Sequence, residues 1–502
     1  MILDGNSQTW EQLIDEVISP TKLTLTKDAW EKIRASRDLV ERRIANGDTI
    51  YGINTGFGKL ANKRIKVEEL SQLQVNLLRS HATGVGDFLP ESIVRLIYIL
   101  KINSFARGYS GIREVVVRQL ITFYDKGIIP AIPEKGSVGA SGDLAPLAHF
   151  SLPLIGEGYV VDFQGQKIPA KPFMETHQLE PLQLEAKEGL SLINGTQVTT
   201  ALTLMGLSKA WNLHYSNIGI GAFSTEVMLG TDTSFRKEIQ EARNQKGQKH
   251  VAELYYSILQ DSGFRRSHES CNRVQDFYSL RCQTQVNGSV HSILEYASSI
   301  INAEINSVTD NPLTIVETDE VLSGGNFHAA PIAHIADFIA IVLTDMLAMS
   351  ERRISAFQDT NQSQLPMFLT ANAGLNSGFM IAHVTAAALA SENKMYAHPA
   401  SIDTIPTSAN QEDHVSMGPN AARKLLKIIE NGCDILGIEL SACMQAAHLN
   451  HHLHLSPITQ HMFDLLKDSQ GLIKDDVYLG DFIQNASSKV ADGKIAEIVK
   501  SI

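Results

Sequence analysis

The chain has 502 residues, of which 43% are hydrophobic and 20% are charged, a balance typical of a globular protein with enough apolar material for a large core. The formal net charge of −12 and the lack of a basic stripe argue against nucleic acid or an anionic membrane as a partner. Four cysteines without a Cys-x-x-Cys pair, and an N-terminus without a secretory signal pattern, lead us to expect a cytoplasmic protein with reduced thiols.

Helical periodicity dominates from the N-terminus onward. An amphipathic helix is predicted to start after Thr9, where Gln12 is placed for a capping box, and to stop before Pro20. A second helix is predicted to start after Thr26 and to end near Gly47. Long helical runs with apolar residues on most faces follow at approximately 199–223, 286–307, 329–357, 374–396 and 419–449. This pattern indicates mutual burial in a bundle, and it favours a packed helix over a membrane span for 329–357.

Two short hairpins are predicted among the helices. The first starts at Tyr159-Val-Val-Asp-Phe163, turns at Gln164-Gly165 and returns through residues 166–168. The second starts at Leu313-Thr-Ile-Val316, turns near Thr318-Asp319 and returns through residues 321–322. The predicted fold class is therefore mainly α.

The most informative segment runs from Gly136 to His149 and has Ala140, Ser141 and Gly142 at its centre. It contains neither a dinucleotide-binding glycine pattern nor a P-loop, and Asp143 stands where a nucleophile elbow needs a glycine. An Ala-Ser-Gly tripeptide can form an electrophile from its own backbone: the glycine nitrogen attacks the alanine carbonyl, two waters leave, and the serine becomes a methylidene group. Glycine suits this attack because no Cβ blocks the tight turn. The tripeptide by itself is more often a flexible glycine loop, so the longer segment carries the prediction.

This segment resembles the signature of the aromatic amino acid ammonia-lyases, which carry a 4-methylidene-imidazol-5-one (MIO) group. Further motifs follow in the order of that family between about residue 50 and residue 425. They are Tyr51-Gly-Ile-Asn-Thr-Gly-Phe-Gly58, Leu192-Ile-Asn-Gly-Thr-Gln197, Tyr278-Ser-Leu-Arg-Cys282, Thr309-Asp-Asn-Pro312, Ser323-Gly-Gly-Asn-Phe-His328 and Gln411-Glu-Asp-His-Val-Ser-Met417.

The resemblance implies a fold and an assembly. It implies a mixed head region that carries the MIO loop and short β-hairpins, on a long central helix bundle. We place the head at residues 1–198, and the bundle with the C-terminal helices at 199–502, as one interdependent unit. The family assembles as a homotetramer whose active sites draw on three subunits, and it takes a small amino acid as substrate with no external cofactor.

The resemblance also implies roles for the site residues. Tyr51 matches the catalytic tyrosine and Tyr278 a second tyrosine that supports proton transfer and MIO formation. Arg281 matches the residue that binds the substrate carboxylate, for which a guanidinium fork is well shaped. Asn194 matches the donor to the MIO ring oxygen. Further pocket positions are matched by Gln275, Asn311 and Phe327.

Two positions bear on the substrate. Ser80-His81 and Glu412 resemble the histidine-specific members of the family, because phenylalanine and tyrosine enzymes generally have no glutamate at the second position. A buried imidazole has two polar nitrogens to satisfy, and His81 and Glu412 supply partners for both. The predicted reaction is therefore elimination of ammonia from L-histidine to give trans-urocanate. The alternatives are a tyrosine or phenylalanine ammonia-lyase or an aminomutase with the same electrophile, and a Glu412 that only caps or salt-bridges.

Two further hypotheses need no histidine chemistry. The chain could be a helical scaffold that keeps the fold without forming the MIO group. The histidines at 448, 451, 452 and 454 include an i, i+4 pair, as helical metal ligands do, but no third carboxylate or thiol ligand accompanies them. We predict a packed or solvated helix there and no metal site.

Overall fold

The computed structural model describes residues 1–56, 58, 62–162, 164–269 and 273–502. Two compact units divide the chain. The first comprises Met1–Met205, Ser298–Ala336 and Pro399–Arg423, and the second comprises Gly206–Ala297, Asp337–His398 and Lys424–Ile502. Each unit is therefore assembled from separate stretches of chain. The division near residue 198 that the sequence suggested stays a prediction.

Helices make up most of the described chain, and the prediction of a mainly α fold is confirmed. The N-terminal helices are Trp10–Ile18, Lys27–Ala45, Leu70–His81, Glu91–Ala106, Glu114–Asp125, Leu144–Ser151, Ala170–Thr176 and Glu188–Ile193. Further long helices are Gln197–Val227, Gln283–Glu304, Ala330–Phe357, Met380–Tyr396 and Gly418–Leu449. Shorter helices are Lys237–Arg243, Lys246–Ile258, Gly263–Arg266, Tyr278–Arg281, Thr360–Ser363, Pro457–Asp464, Gly480–Ala491 and Lys494–Lys500.

The N-terminal helix starts are those that the sequence predicted. The hydroxyl of Thr9 accepts a hydrogen bond from the backbone of Gln12, whose side chain accepts one in return from the backbone of Thr9, so the capping box is complete. Thr26 caps the next helix through the backbone N–H of Ala29. These local signals predict both starts, and at the first helix the side-chain oxygen of Asn302 also accepts a hydrogen bond from the backbone N–H of Trp10 at 2.8 Å.

Short strands occur in the first unit only, as far as the described residues show. They are Ile2–Leu3, Thr24–Leu25, Val85–Phe88, Ile129–Pro130, Pro133–Lys135, Tyr159–Val161, Lys167–Pro169, Leu313–Ile315 and Glu320–Leu322. Both predicted hairpins are confirmed, with antiparallel registers that pair Val160 with Ile168 and Thr314 with Val321. Phe163, which we placed in the first hairpin, lies outside the described residues.

The apolar run predicted at 329–357 forms the helix Ala330–Phe357. By length and composition it could cross a membrane, yet 61% of its most apolar stretch is buried inside the chain. Arg353, near its C-terminal end, is fully buried against the carboxylate of Glu439. A buried guanidinium is costly unless a counter-ion compensates it, and Glu439 supplies that counter-ion within the fold.

Candidate active site

The loop that carries Ala140, Ser141 and Gly142 connects strand Pro133–Lys135 with helix Leu144–Ser151. Gly142 has φ of +72°, and a Cβ at this position would lie 2.2 Å from the backbone oxygen of Gly195. Gly142 also forms a parallel bridge with Gly195. Any larger residue at 142 would therefore separate the tripeptide from the segment beneath it.

The residue after the tripeptide anchors this loop. Asp143 is fully buried, and its backbone N–H donates to the oxygen of Gly195 at 2.8 Å. Its carboxylate accepts hydrogen bonds from the backbone and the hydroxyl of Thr199 at 2.7 and 2.8 Å, and from Ser137 at 3.2 Å. Burial raises the pKa of Asp143 to about 6, although the bonds from Thr199 and Ser137 favour the ionised form. The residue that follows the tripeptide is thus held in place by hydrogen bonds to Gly195, Thr199 and Ser137.

A second motif packs against the same loop. The backbone N–H of Met417 donates to the oxygen of Val138 at 2.8 Å, and the hydroxyl of Ser416 donates to the oxygen of Gly139 at 3.0 Å. Gly139 has φ of +66°, and a Cβ there would meet the Ser416 hydroxyl oxygen at 2.2 Å. These contacts hold the motif 411–417 beside the tripeptide although more than 250 residues separate them along the chain.

Asn194 lies at the C-terminal end of helix Glu188–Ile193, and its side chain faces the tripeptide. Its amide nitrogen donates to the backbone oxygen of Ser141 at 2.8 Å. Its amide oxygen is buried and has no hydrogen-bond partner among the described residues. The sequence-predicted donor is therefore in contact with the carbonyl that it was expected to polarise.

A cleft of about 1080 Å³ opens over the tripeptide, and all of its described lining belongs to the first unit. The predicted site residues that line it are Tyr51, His81, Ala140, Ser141, Asn194, Asn311, Phe327 and Glu412. The volume is ample for an amino acid.

Tyr51 begins the glycine-rich turn at the edge of the cleft. Its phenol oxygen accepts a hydrogen bond from the backbone N–H of Gly58 at 3.3 Å. The hydroxyl of Thr55 accepts from the backbone of Gly52 at 3.1 Å, which stabilises the turn. Phe57, within the same motif, lies outside the described residues.

His81 is the last residue of helix Leu70–His81. Its Nδ1 lies 2.8 Å from the backbone oxygen of Leu77 and 3.0 Å from the hydroxyl of Ser80. Burial lowers the pKa of His81, against the opposing effects of the Leu77 carbonyl and the Glu412 carboxylate. The imidazole is therefore held neutral near pH 7, with its ring in the cleft.

Glu412 brings a carboxylate to the tripeptide. One of its oxygens accepts from the hydroxyls of Thr407 at 2.6 Å and Ser408 at 2.7 Å. The other accepts from the hydroxyl of Ser141 at 2.9 Å. Burial raises the pKa of Glu412, but these three bonds and the nearby His81 outweigh it and hold the pKa below its usual value. The site thus keeps an ionised carboxylate that has only neutral donors.

Asn311 and Phe327 line another part of the wall. The side-chain oxygen of Asn311 accepts from the backbone N–H of Gly324 at 2.7 Å, and its nitrogen donates to Ser323 at 3.1 Å. A cis peptide bond joins Asn311 to Pro312. Asn311 therefore fixes the turn 323–325 that precedes Phe327 and carries that ring into the lining.

The remaining predicted site residues belong to the second unit. Gln275 and Tyr278 are exposed, with 74% of Tyr278 accessible, and Arg281 stacks its guanidinium 5.5 Å from the Tyr278 ring centroid. The described lining of the cleft includes none of the three. Their part in the site stays a prediction.

Several polar residues near the site were missed by sequence reasoning. Thr407 and Ser408 orient Glu412, and no sequence signal distinguishes them from ordinary loop residues. The rings of His328 and His414 line the cleft and stack with centroids 5.7 Å apart. These two histidines lie inside motifs that we had recognised, so their motif positions were a usable signal.

The described residues contain no group of three or more His, Cys, Asp or Glu side chains arranged to hold a metal ion. In the C-terminal histidine cluster, His448 faces the backbone oxygen of Gln470 at 3.1 Å, and His454 faces the guanidinium of Arg266 at 2.8 Å. The described cysteines, Cys282, Cys433 and Cys443, are all free thiols.

Comparison with known proteins gives a consistent set of relatives. The sequence pattern of the family described as aromatic amino acid lyase matches residues 9–468. A histidine ammonia-lyase of Salmonella paratyphi B is 48% identical over 500 residues, which cover 99% of each chain. The crystal structure of a histidine ammonia-lyase from Trypanosoma cruzi matches with a TM-score of 0.92 and 36% identity, covering 100% of this chain and 95% of that one. A tyrosine aminomutase from Streptomyces globisporus matches with a TM-score of 0.94 and 31% identity, covering 100% and 98%.

Proposed function

This chain belongs to the aromatic amino acid lyase family, and from that premise we propose that it eliminates ammonia from L-histidine to give trans-urocanate. The single observation that carries the choice of histidine is the contact between the Glu412 carboxylate and Ser141 at 2.9 Å. It puts an anionic acceptor directly beside the residue where the reactive group would form.

The proposed electrophile is the MIO group, and the residues present fit its formation. Gly142 adopts a φ of +72° in a space that a Cβ would fill, and Asn194 donates to the backbone oxygen of Ser141. Ring closure retains that oxygen as the ring carbonyl, so the Asn194 amide would hold it. When formed, the group supplies a carbon electrophile that no ordinary side chain offers.

Formation of the MIO group, here called maturation, changes the hydrogen bonding of Glu412. Recognition of the imidazole follows from this change. Dehydration of Ser141 removes the hydroxyl that donates to one carboxylate oxygen, while Thr407 and Ser408 continue to hold the other. The freed oxygen would accept an imidazole N–H of the substrate. Because Nδ1–H of the neutral His81 donates to the Leu77 carbonyl, its Nε2 is an acceptor and would take the second N–H of a protonated substrate ring. A phenyl ring would leave the freed oxygen of Glu412 desolvated and without a donor.

The other roles rest on sequence motifs. Tyr51 would remove the β-proton, because its phenol is placed in the cleft. We propose that Gln275, Tyr278 and Arg281 reach the cleft of a neighbouring copy in a homotetramer, where Arg281 would grip the substrate carboxylate. Tyr278 would support proton transfer there. We place the enzyme in the cytoplasm.

A second candidate function deserves a direct test because the tyrosine aminomutase has a closely similar fold. L-Histidine, L-tyrosine and L-phenylalanine are supplied separately, and urocanate, coumarate, cinnamate and β-amino acids are followed. We expect urocanate from histidine and a specificity ratio over tyrosine of at least about 10³, because a site built to bind a polar ring rejects the analogue that lacks it. Turnover of tyrosine without turnover of histidine contradicts the proposal.

A further inference from the structure

Lys101 is a buried lysine that contacts the segment 194–197 next to the tripeptide. It lies on helix Glu91–Ala106 and is 1% exposed. Its ammonium donates to the backbone oxygen of Asn194 at 2.7 Å and reaches the side-chain oxygen of Gln197 at 3.4 Å. No carboxylate of the described chain lies within ion-pair distance of it. Burial lowers the pKa of Lys101 to about 7.

A second buried lysine of the same unit shows what a structural ion pair looks like here. Lys187 is fully buried, and its ammonium contacts the Asp310 carboxylate at 3.5 Å and donates to the Ser191 hydroxyl at 2.9 Å. Buried charges are ordinarily compensated in this way. Lys101 has no such ion pair: its direct contacts are the Asn194 carbonyl and the Gln197 side-chain oxygen, and Asp310 and Asp143 act on its charge only from a longer distance.

That carbonyl belongs to the segment that contacts the tripeptide from below. The Asn194 side chain donates to the oxygen of Ser141 at 2.8 Å. The next residue, Gly195, accepts from the backbone N–H of Asp143 at 2.8 Å. Both contacts depend on where the backbone of residues 194–195 lies, and Lys101 holds that backbone through its bond to the Asn194 carbonyl.

We infer that Lys101 is a positioning residue for maturation of the tripeptide, which holds the Asn194–Gly195 backbone so that the Asn194 amide stays on the Ser141 carbonyl while the ring closes. The inference rests on the proposed function. Two alternatives, a purely structural lysine and a general effect of buried charge, are separated by the test below.

The formation of the MIO ring, which Lys101 supports, needs no oxidant or co-reactant. A bond forms between the Gly142 nitrogen and the Ala140 carbonyl carbon. The Ala140 oxygen leaves as water with the hydrogens of the Gly142 and Ser141 nitrogens. The Ser141 hydroxyl leaves as a second water with the hydrogen of its α-carbon. Lys101 makes and breaks no covalent bond in this scheme.

The test compares Lys101→Met with Lys187→Met in the full chain. Intact-mass spectrometry of freshly expressed protein gives the fraction that is lighter than its translation by two waters, and circular dichroism and gel filtration confirm equal folding. We expect complete maturation in the parent and in K187M, and maturation at least about tenfold slower in K101M, because small misplacements of an activating group have large rate effects. Lys101→Gln, which keeps an uncharged N–H donor, is expected to fall between K101M and the parent.

The outcomes distinguish a failure of the role of Lys101 from a failure of the proposed function. Equal maturation in K101M and the parent overturns the role of Lys101, and so does an equal defect in K187M. A K101M protein that does not fold leaves the decision to K101Q, and complete maturation of K101Q at the parental rate also overturns it. A parent protein that keeps its full mass overturns the proposed function itself.

Discussion

Two glutamates, one in each unit, are held by several hydrogen bonds but differ in whether a cation neutralises their charge. Glu439 in the second unit is fully buried and binds the guanidinium of Arg353 through both oxygens, with Ser224 and Ser350 as further donors. Glu412 in the first unit binds three hydroxyls and, among the described residues, no cation. Glu439 therefore has its counter-charge within the fold, whereas the charge of Glu412, which faces the cleft without a counter-charge among the described residues, remains available to a ligand.

The largest expected effect comes from removing the Ser141 hydroxyl. Ser141→Ala cannot form the methylidene and also withdraws the donor from Glu412, so we expect turnover of histidine to fall by about 10³ or more. The protein should keep the full mass of its translation and an unchanged fold. Intact mass and urocanate absorbance measure both. A fully active S141A of full mass would remove the electrophile from the account.

Breaking the Arg353–Glu439 ion pair of the second unit should lower the stability of the protein rather than its activity. Arg353→Leu leaves Glu439 as a buried charge without its counter-ion, and we expect the free energy of unfolding to fall by about 3–5 kcal/mol. The double variant with Glu439→Leu should recover most of this loss, because two apolar side chains replace two charges. Urea denaturation measures the free energy. Equal stability of the single and double variants would contradict this interpretation of the Arg353–Glu439 pair.

The matching change in the cleft should act on catalysis. Glu412→Gln removes the charge that we assign to the imidazole, and a lost hydrogen bond to a charged group of about 2–3 kcal/mol corresponds to a fall in kcat/KM for histidine on the order of 100-fold. We expect stability to change by less than about 1 kcal/mol. Rates are divided by the matured fraction, so that slow maturation is not mistaken for weak catalysis.

The neighbouring carboxylate provides the control for this variant. Asp413 also lines the cleft, and it is exposed. Asp413→Asn should keep kcat/KM within about twofold, because an exposed charge contributes little. An equal loss in D413N and E412Q would show that the total charge of the cleft matters, and the specific role of Glu412 would fail.

Structural features that depend on residues close together along the chain could be predicted from the sequence. The capping box at Thr9 and Gln12 and the two hairpins appear as expected, because each depends on residues close together along the chain. The helix expected from 374 begins only at Met380, because Gly374 and Gly378 adopt left-handed φ values of +103° and +52° and keep the chain in a loop.

Partnerships over long distances along the chain could not be predicted in this way. The motif resemblance selected Ser141 and Glu412, yet the bond between them joins residues 271 positions apart. The bond from Lys101 to Asn194 and the ion pair of Arg353 with Glu439 join helices whose periodicity shows only that these positions face inward. A polar residue at an inward-facing position of an apolar helix favours a hydrogen-bond partner in the fold, but the helix pattern does not identify that partner.

The smallest expected effect concerns a buried histidine that has neither a counter-charge nor a ligand. His214 in the second unit is fully buried, neither ring nitrogen has a hydrogen-bond partner in the described chain, and the ring of His291 lies 5.6 Å away between centroids. Burial holds the pKa of His214 well below its usual value, and the neighbouring histidines lower it further. His214 therefore stays neutral in the folded protein while it protonates in the unfolded chain.

The sign of the pH effect follows from this difference. Below the unfolded pKa of about 6.5 the unfolded chain binds more protons, so stability falls as the pH decreases, by about 1 kcal/mol between pH 6.5 and 5.5 for one such group. His214→Leu should lose this share of the pH dependence and be at least as stable at pH 7, because two unsatisfied nitrogens are removed. His451→Gln, at an exposed position, should keep the parental slope in urea denaturation at each pH. If H214L and H451Q have the same slope, the buried histidine does not behave as a neutral group that the fold excludes from protonation.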